Sequence, residues 1–228
     1  MEMGVMLENI KAVIFDLDGT LVDSMGVWVN VDKIYMEKYN LVEPPGFYEE
    51  MEGKGFTETA IFFTESFPTL DKTIEEIKDE WTKMVYNEYV ERVELKDGVY
   101  EFLKSLCEKG IKCGVATSNS RQVAEAVLRA RHIDEFFKVL YTSCEVKKGK
   151  PAPDVYLKVA EELKVLPKEC LVFEDVPQGI NAGLNAGMTV CAVDDWFSKE
   201  QEGIKKSLAH YYISTFDDVK HKTYEVLK

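Results

Sequence analysis

The sequence predicts an α/β fold in which a parallel sheet carries helices on both faces and an all-helical segment follows the first strand. Two observations predict the sheet: short apolar, β-favouring runs recur along the chain, and segments with helical spacing of apolar residues separate them. A third observation predicts the insertion, because this alternation stops between Ser24 and Leu95. A length of 228 residues suits one main domain with an insertion.

Five apolar runs are the predicted strands of this sheet. The first, residues 12–15, reads Ala-Val-Ile-Phe and has no polar position, which is typical of a strand buried on both faces. The other predicted strands cover residues 111–116, 139–141, 171–173 and 189–193.

Helical spacing occurs in the segments between and after these runs. Val99, Phe102, Leu103 and Leu106 share one helix face, and Gly110 stands where a left-handed residue would end that helix. The same spacing predicts helices around residues 123–128 and 155–163. Small residues over 177–186 suit a helix that packs closely on the sheet.

Residues 24–95 are predicted to form an all-helical cap domain, inserted into a core domain of residues 1–23 and 96–228. Apolar residues recur there at helical spacing, around Val31 and Tyr35 and again around Ile77 and Trp81. The segment holds 16 acidic and 7 basic residues, a net charge of −9 that the solvated faces of amphipathic helices explain. We expect four aromatic residues to form part of its core: Phe56, Phe62, Phe63 and Phe67.

The formal charge of −13 argues against polyanionic partners. It repels a nucleic-acid backbone and an anionic membrane surface, and no basic stripe offsets it. No apolar run approaches the roughly 18 residues of a membrane span, and charges at Glu2, Glu8 and Lys11 interrupt the N-terminus, so we expect a cytoplasmic protein. The five cysteines include no C-x-x-C pair, which favours reduced thiols that lie mostly in the core.

Polar residues end several of the predicted strands. Parallel strands open their carboxyl ends on one crevice, so these residues are expected to converge there. The convergent set is Asp16 and Asp18; Thr117, Ser118 and Asn119; Glu174 and Asp175; and Lys150 from the loop before a helix.

The crowded carboxylates of this set need a counter-ion, since two of them about 4 Å apart repel by roughly 4 kcal/mol at an effective dielectric constant near 20. Oxygen ligands with open positions suit Mg²⁺, which commonly combines one or two carboxylates with substrate phosphate oxygens. A phosphoryl group would add negative charge, which Lys150 could balance, and the Thr117 hydroxyl could donate to it. Alternatively, Thr117 or Ser120 could cap the following helix, and Glu174 with Asp175 could cap the next one.

Four motifs in chain order carry a resemblance to a known family. They are Asp16-Leu17-Asp18-Gly19-Thr20, Ala116-Thr117-Ser118-Asn119, Gly149-Lys150-Pro151-Ala152-Pro153-Asp154 and Phe173-Glu174-Asp175. Together they resemble the haloacid dehalogenase superfamily, in its branch of phosphatases and β-phosphoglucomutase-like enzymes with a helical cap. One motif alone is a weak pattern, whereas four at strand ends are specific. The resemblance covers the core and implies a Rossmann-like sheet beneath the cap.

The resemblance implies a covalent mechanism with Mg²⁺ as the cofactor. Asp16 would attack the phosphorus and form an aspartyl-phosphate, while Asp18 would protonate the leaving oxygen and then activate water. Mg²⁺ would be held by the Asp16 carboxylate, the Asp18 main-chain carbonyl and Asp175, with Glu174 either a ligand or a neighbour of the ligands. The substrate would be bound by four residues: Thr117, Ser118, Asn119 and Lys150.

Three functions remain open: a phosphatase of small phosphate esters, a sugar phosphomutase and a non-catalytic interaction module. Thr20 is typical of the phosphatases, whereas the mutases tend to have valine there. Trp28 stands where mutases tend to have histidine, and Gly53-Lys54-Gly55 lacks their arginine, so hydrolysis is favoured. A true dehalogenase is disfavoured, because those enzymes lack the second aspartate of the first motif.

The expected partner is a small phosphorylated metabolite, a sugar phosphate or a nucleotide-like compound, bound by a monomer or weak dimer. No nucleic acid or membrane partner is expected. The core motifs resemble those of pseudouridine-5′-phosphatase-like and other sugar-phosphate phosphatases, but the cap selects the substrate. The acidic cap disfavours polyanionic substrates by repulsion.

Overall fold

The computed structural model describes residues 6–51 and 54–228. Seven strands in these residues form one sheet: β1 (Ala12–Phe15), β2 (Lys112–Thr117), β3 (Phe137–Thr142), β4 (Cys170–Glu174), β5 (Thr189–Val193), β6 (Tyr211–Ile213) and β7 (Glu225–Val226). Their order across the sheet is β3-β2-β1-β4-β5-β6-β7. Strands β1 to β6 are parallel, and β7 is antiparallel to β6. The predicted α/β fold is confirmed, and β1 lies between β2 and β4.

The described residues between β1 and β2, the segment predicted as an insertion, form four helices: α1 (Met25–Tyr39), α2 (Phe47–Met51), α3 (Phe56–Ser66) and α4 (Ile74–Glu91). Their shared core is aromatic, and Trp81 of α4 lies edge-on to both Tyr35 and Phe63. Of the predicted core residues, Phe56, Phe63 and Phe67 are buried, and Phe62 is partly buried and stacks on Phe47. The expected aromatic core is therefore confirmed.

Six further helices follow: α5 (Val99–Glu108), α6 (Arg121–Ala130), α7 (Asp154–Leu163), α8 (Pro177–Asn185), α9 (Glu202–Leu208) and α10 (Asp217–His221). Alternate side chains of β1 point to opposite faces of the sheet, as strand geometry requires. Val13 and Phe15 pack with α5 and α6, whereas Ala12 and Ile14 pack with α7 and α8. Gly110 follows α5 with a φ of +69°, the left-handed conformation that its position predicts.

The structure differs from the sequence prediction at one edge of the sheet. Strands β6 and β7 are three and two residues long, too short to carry a detectable pattern, and β7 makes the sheet mixed rather than purely parallel. The five cysteines are free, and three of them are buried, as expected of thiols that lie mostly in the core; Cys107 and Cys144 are exposed. Among the described residues, no helix combines the length and apolarity needed to cross a membrane.

The two chain segments that join the helical insertion to the core run side by side. The amide of Asp23 donates to the carbonyl of Glu94 over 3.0 Å, and the amide of Lys96 donates to that of Leu21 over 3.0 Å. The domain limits at residues 23/24 and 95/96 stay a prediction, and residues 1–5 of the predicted core lie outside the described part of the chain.

Asp32 on α1 makes the stability of the protein depend on pH. Burial raises the pKa of Asp32 from 3.8 to about 7. Between these values the folded protein holds a proton that the unfolded chain has lost, so stability falls as pH rises through this range. We expect Asp32→Asn to increase the free energy of unfolding at pH 8 by about 1–2 kcal/mol.

Guanidinium denaturation at pH 8 and at pH 4.5 checks this expectation. The gain should shrink at the lower pH, where wild-type Asp32 is protonated in the folded state. Asp79→Asn, an exposed position on α4, is the control and should change stability by less than about 0.5 kcal/mol. An equal gain from Asp32→Asn at both pH values would contradict the burial argument.

Candidate active site

Three carboxylates meet at the carboxyl ends of β1 and β4. Asp16 directly follows β1, Glu174 ends β4, and Asp175 comes next. One oxygen of each lies within 4.8 Å of an oxygen of the other two, and all three residues are buried. The strand register explains the meeting, because Phe15 pairs with Phe173 across the adjacent strands and Asp16 donates its amide to the Phe173 carbonyl over 3.0 Å.

Lys150 is the cation that faces these carboxylates. Its Nζ donates to Asp16 Oδ1 and to Glu174 Oε1, each over 2.6 Å, and only 7% of the residue is exposed. Burial alone would lower the pKa of Lys150, but the negative charges of Asp16 and Glu174 outweigh it and hold the pKa well above its usual value. Lys150 is therefore a permanent positive charge at this site.

Asp16 has a strongly perturbed carboxyl group. Burial raises its pKa well above the usual value, the Lys150 ammonium opposes this shift, and the neighbouring carboxylates of Glu174 and Asp175 add to it. A carboxylate in this position needs positive charge beside it in order to stay ionised. Lys150 supplies one such charge.

Glu174 is held at both of its oxygens. Oε1 accepts from Lys150 and from the Tyr156 hydroxyl, the latter over 2.9 Å, and Oε2 accepts from the amides of Asp175 and Val176. The carboxylate packs against the first turn of α8, where a Cβ at Gly179 would lie 1.7 Å from Oε1. Only glycine fits at that position while Glu174 stays where it is.

Asp175 has one oxygen that is free to bind a ligand. Its Oδ1 accepts from the Thr20 hydroxyl over 2.9 Å, whereas Oδ2 is buried and has no hydrogen-bond partner. Burial, then the charges of Glu174 and Asp195, raise the pKa of Asp175 to about 8. A Cβ at Gly19, whose φ is +78°, would lie 2.3 Å from Asp175 Oδ2.

The Asp16–Asp175 pair fits a divalent cation. A buried, unpartnered carboxylate oxygen is costly unless a ligand satisfies it, and here it belongs to a carboxylate that lies close to that of Asp16. Hard oxygen donors of this kind are the ligands that Mg²⁺ prefers. When bound, Mg²⁺ would be the second cation of the site, beside Lys150.

Asp18 points away from this carboxylate cluster, toward the helical insertion. Its Oδ1 accepts from the hydroxyls of Ser24, over 2.6 Å, and Tyr89, and its Oδ2 accepts from Asn119 Nδ2 over 3.0 Å. Its carboxylate is not part of the three-acid group, so any metal contact from Asp18 is left to its main-chain carbonyl, as the family resemblance implies.

The three polar residues after β2 have different surroundings. Thr117 is fully buried, and its Oγ1 accepts from the Asn119 amide over 3.0 Å. Ser118 Oγ lies 3.3 Å from Ser143 Oγ, and the Asn119 side chain contacts Asp18. Ser120, not Thr117, caps α6, because its hydroxyl accepts from the Val123 amide. Their roles toward substrate stay predictions.

The helical insertion covers this group of residues. The amide of Phe56 donates to the Ser118 carbonyl over 2.9 Å, and Trp28 lies edge-on to both Phe56 and Tyr89, with centroids 6.1 Å apart in each pair. Only 6% of Asp16 is exposed. Of the predicted Gly53-Lys54-Gly55 segment, Gly53 lies outside the described residues.

Four residues whose contacts with the acids the sequence analysis did not predict complete the site: Thr20 on Asp175, Ser24 and Tyr89 on Asp18, and Tyr156 on Glu174. Thr20 stands within the first motif, and Tyr156 lies two residues beyond the third, so both have a local signal in the sequence. Tyr89 has no local signal, because its hydroxyl meets Asp18 only through tertiary packing.

Comparison with known proteins gives a family. The model of the haloacid dehalogenase-like hydrolases matches residues 13–193. A phosphorylated carbohydrates phosphatase of Thermotoga maritima is 34% identical over 191 residues, which are 78% of this chain and 82% of that protein. The pyrophosphatase PpaX of Bacillus cereus is 29% identical over 212 residues, 92% of this chain and 95% of that protein.

Solved structures share the fold. CbbY from Rhodobacter sphaeroides superimposes with a TM-score of 0.78 at 23% identity, over 92% of this chain and 96% of that one. A β-phosphoglucomutase from Clostridium difficile also gives a TM-score of 0.78, at 21% identity over 94% and 95% of the two chains. With a family model over most of its length and a relative at 34% identity, the chain belongs to the haloacid dehalogenase-like hydrolases, as an enzyme of the phosphoric monoester hydrolase class.

Proposed function

We propose that this chain is a Mg²⁺-dependent phosphatase that hydrolyses small phosphate monoesters through an aspartyl-phosphate on Asp16. One observation carries the proposal: the buried Asp16 carboxylate accepts from the Lys150 ammonium over 2.6 Å and lies in one group with the carboxylate of Asp175, which has a buried oxygen without a partner. A carboxylate held between a fixed cation and a metal position can stay ionised in a buried site, which a phosphorus nucleophile requires.

The first half-reaction transfers the phosphoryl group to the protein. An Asp16 oxygen forms a bond to phosphorus while the ester bond to the leaving oxygen breaks, and Asp18 gives that oxygen its proton. Lys150 balances charge on the transferring group, and the Thr117 hydroxyl donates to it. Mg²⁺ would be held by Asp16, Asp175 and the Asp18 carbonyl, and its chemistry when bound is to neutralise the phosphoryl oxygens.

The second half-reaction releases phosphate. Asp18, now ionised, takes a proton from a water molecule whose oxygen attacks phosphorus, and the bond to Asp16 breaks. Ser24, Tyr89 and Asn119 each donate a hydrogen bond to Asp18 and hold its carboxylate in one position. They therefore support its role as the base of this step.

For Glu174 we propose the role of anchor for Lys150 rather than that of a metal ligand. Its two oxygens already accept four hydrogen bonds from Lys150, Tyr156 and two main-chain amides. The ammonium of Lys150 has two anionic partners, Asp16 and Glu174. The contacts of Glu174 hold this ammonium in place for the phosphoryl group. Glu174 then acts on the reaction through Lys150.

For the substrate we propose a sugar phosphate or a nucleotide-like monoester, acted on in the cytoplasm. The relative of Thermotoga maritima is named for phosphorylated carbohydrates and that of Bacillus cereus for pyrophosphate. The helical insertion favours phosphorylated carbohydrates over pyrophosphate, because its net charge of −9 repels a polyanion that has no group besides its phosphates for the protein to recognise. Mutase activity is the alternative, and Thr20 and Trp28 argue against it.

The test is a panel assay with purified protein and Mg²⁺, covering sugar monophosphates, nucleotides, a bisphosphate and pyrophosphate. Free phosphate and phosphate migration are both measured. We expect phosphate release from monoesters, lost on chelation and restored by Mg²⁺. Migration without release would establish the mutase, and faster release from pyrophosphate than from any monoester would overturn the substrate class.

Two substitutions distinguish the proposed roles of the first-motif acids. Asp16→Asn should leave no turnover, because an amide cannot act as the nucleophile. Asp18→Asn should lower kcat about 10²- to 10⁴-fold, the usual contribution of a positioned acid and base. Phosphate release is measured, with Asp134→Asn at an exposed site as the control. Turnover by the Asp16 variant would rule out the covalent route.

Tyr89→Phe tests whether the insertion positions Asp18. The variant loses the hydroxyl that donates to Asp18 and keeps the buried ring that packs on Trp28. One hydrogen bond to a charged group contributes about 1.5 kcal/mol, so kcat should fall about tenfold. Steady-state kinetics against Tyr86→Phe, an exposed tyrosine on the same helix, provide the check. Equal kcat values for the two variants would remove Tyr89 from the mechanism.

A further inference from the structure

A second buried lysine lies behind the active site, and the reaction as described does not use it. Lys205 of α9 is fully buried, although lysine side chains almost always reach solvent. Its Nζ donates to the Val193 carbonyl over 3.0 Å and to Ser198 Oγ over 2.9 Å. Burial lowers the pKa of Lys205, and the negative charges of three nearby aspartates oppose this shift: Asp175, Asp194 and Asp195.

Ser198 connects this lysine to Asp175. The serine is 3% exposed, and its Oγ donates to the main-chain carbonyl of Asp175 over 2.7 Å. An ammonium has only donors, so the Ser198 oxygen accepts from Lys205 and its single proton is directed to Asp175. The result is a chain of hydrogen bonds with one direction, from Lys205 through Ser198 to Asp175.

The loop that carries Ser198 is fixed at its other end as well. Asp195 is 2% exposed and accepts from Lys96 Nζ over 2.8 Å and from the Phe197 amide over 3.0 Å. Lys96 also donates to the Asp194 carbonyl over 2.7 Å. The hydroxyl of Ser198 is therefore presented to Asp175 by a loop with little freedom to move.

These contacts decide which atom of Asp175 is left free. Ser198 holds its main-chain oxygen, and Thr20 holds Oδ1. Oδ2 remains without a partner, on a carboxylate that lies close to that of Asp16. Without Ser198, the main-chain carbonyl of Asp175 would lose this hydrogen bond, and the position of Oδ2 would be less well defined.

We propose that Ser198 and Lys205 are positioning residues that hold Asp175 ready for Mg²⁺ and thereby set the metal affinity of the site. The identity of the metal rests on the proposed function. Partners that orient metal ligands typically change metal affinity by about 10- to 100-fold when they are removed. Neither residue contacts the phosphoryl group in this scheme, so affinity for the metal should change far more than the rate at saturating metal.

Isothermal titration of substrate-free protein with MgCl₂ measures this affinity without turnover. We expect Ser198→Ala to weaken Mg²⁺ binding about tenfold. In assays, the Mg²⁺ concentration for half-maximal activity should rise by the same factor, while kcat at saturating Mg²⁺ changes less than about threefold. Ser207→Ala is the matched control, because this exposed serine also lies on α9 and its hydroxyl bonds only within that helix.

Lys205→Met examines the same chain of hydrogen bonds from its other end and should also weaken Mg²⁺ binding at least tenfold. If that variant does not fold, Ser198→Ala alone decides the question. Wild-type affinity in a folded Ser198→Ala variant would overturn the positioning role and leave the phosphatase proposal intact. Absence of Mg²⁺ binding by the wild-type protein would instead overturn the proposed function.

Discussion

The ion pairs of Lys150 with Asp16 and Glu174 are the interaction on which the site depends. Three buried carboxylates stand together there, and each close pair repels by roughly 4 kcal/mol at an effective dielectric constant near 20. A buried charge is tolerated only when it is paired and hydrogen-bonded. Lys150 pairs with two of the three, which leaves Asp175 with an unsatisfied oxygen and a raised pKa. The three carboxylates and the one ammonium thus need about one further cation for charge balance.

The fold produces this crowding through its sheet. Because β1 lies between β2 and β4, the residues after three parallel strands arrive at one edge. Two glycines then allow the acids to approach the backbone closely, Gly19 beside Asp175 and Gly179 beside Glu174. Side chains at these two positions would occupy the space of the carboxylates, so the motif glycines serve the site geometry as much as the turn or the helix.

Residues with a local signal were predictable from the sequence, and residues placed by tertiary contacts were not. The strand ends gave Asp16, Glu174 and Asp175, and the motif order placed Lys150 with them, which the structure brings together. Tyr89 reaches Asp18 from a helix 71 residues away, and nothing around it in sequence sets it apart. The edge strands β6 and β7 escaped for a different reason, since two or three residues cannot show a period.

Asp18 connects the core of the molecule to the helical insertion. Its carboxylate accepts from Asn119 of the core and from Ser24 and Tyr89 of the insertion. Both oxygens of this one carboxylate therefore have partners, and the core and the insertion meet at it. Because only 6% of Asp16 is exposed, the proposed reaction requires the insertion to move before a phosphate ester can reach this carboxylate, and such a movement would separate Tyr89 from Asp18. In the proposed reaction, substrate entry would therefore also release Asp18 from Tyr89, so the position of the insertion would change the surroundings of the proposed acid.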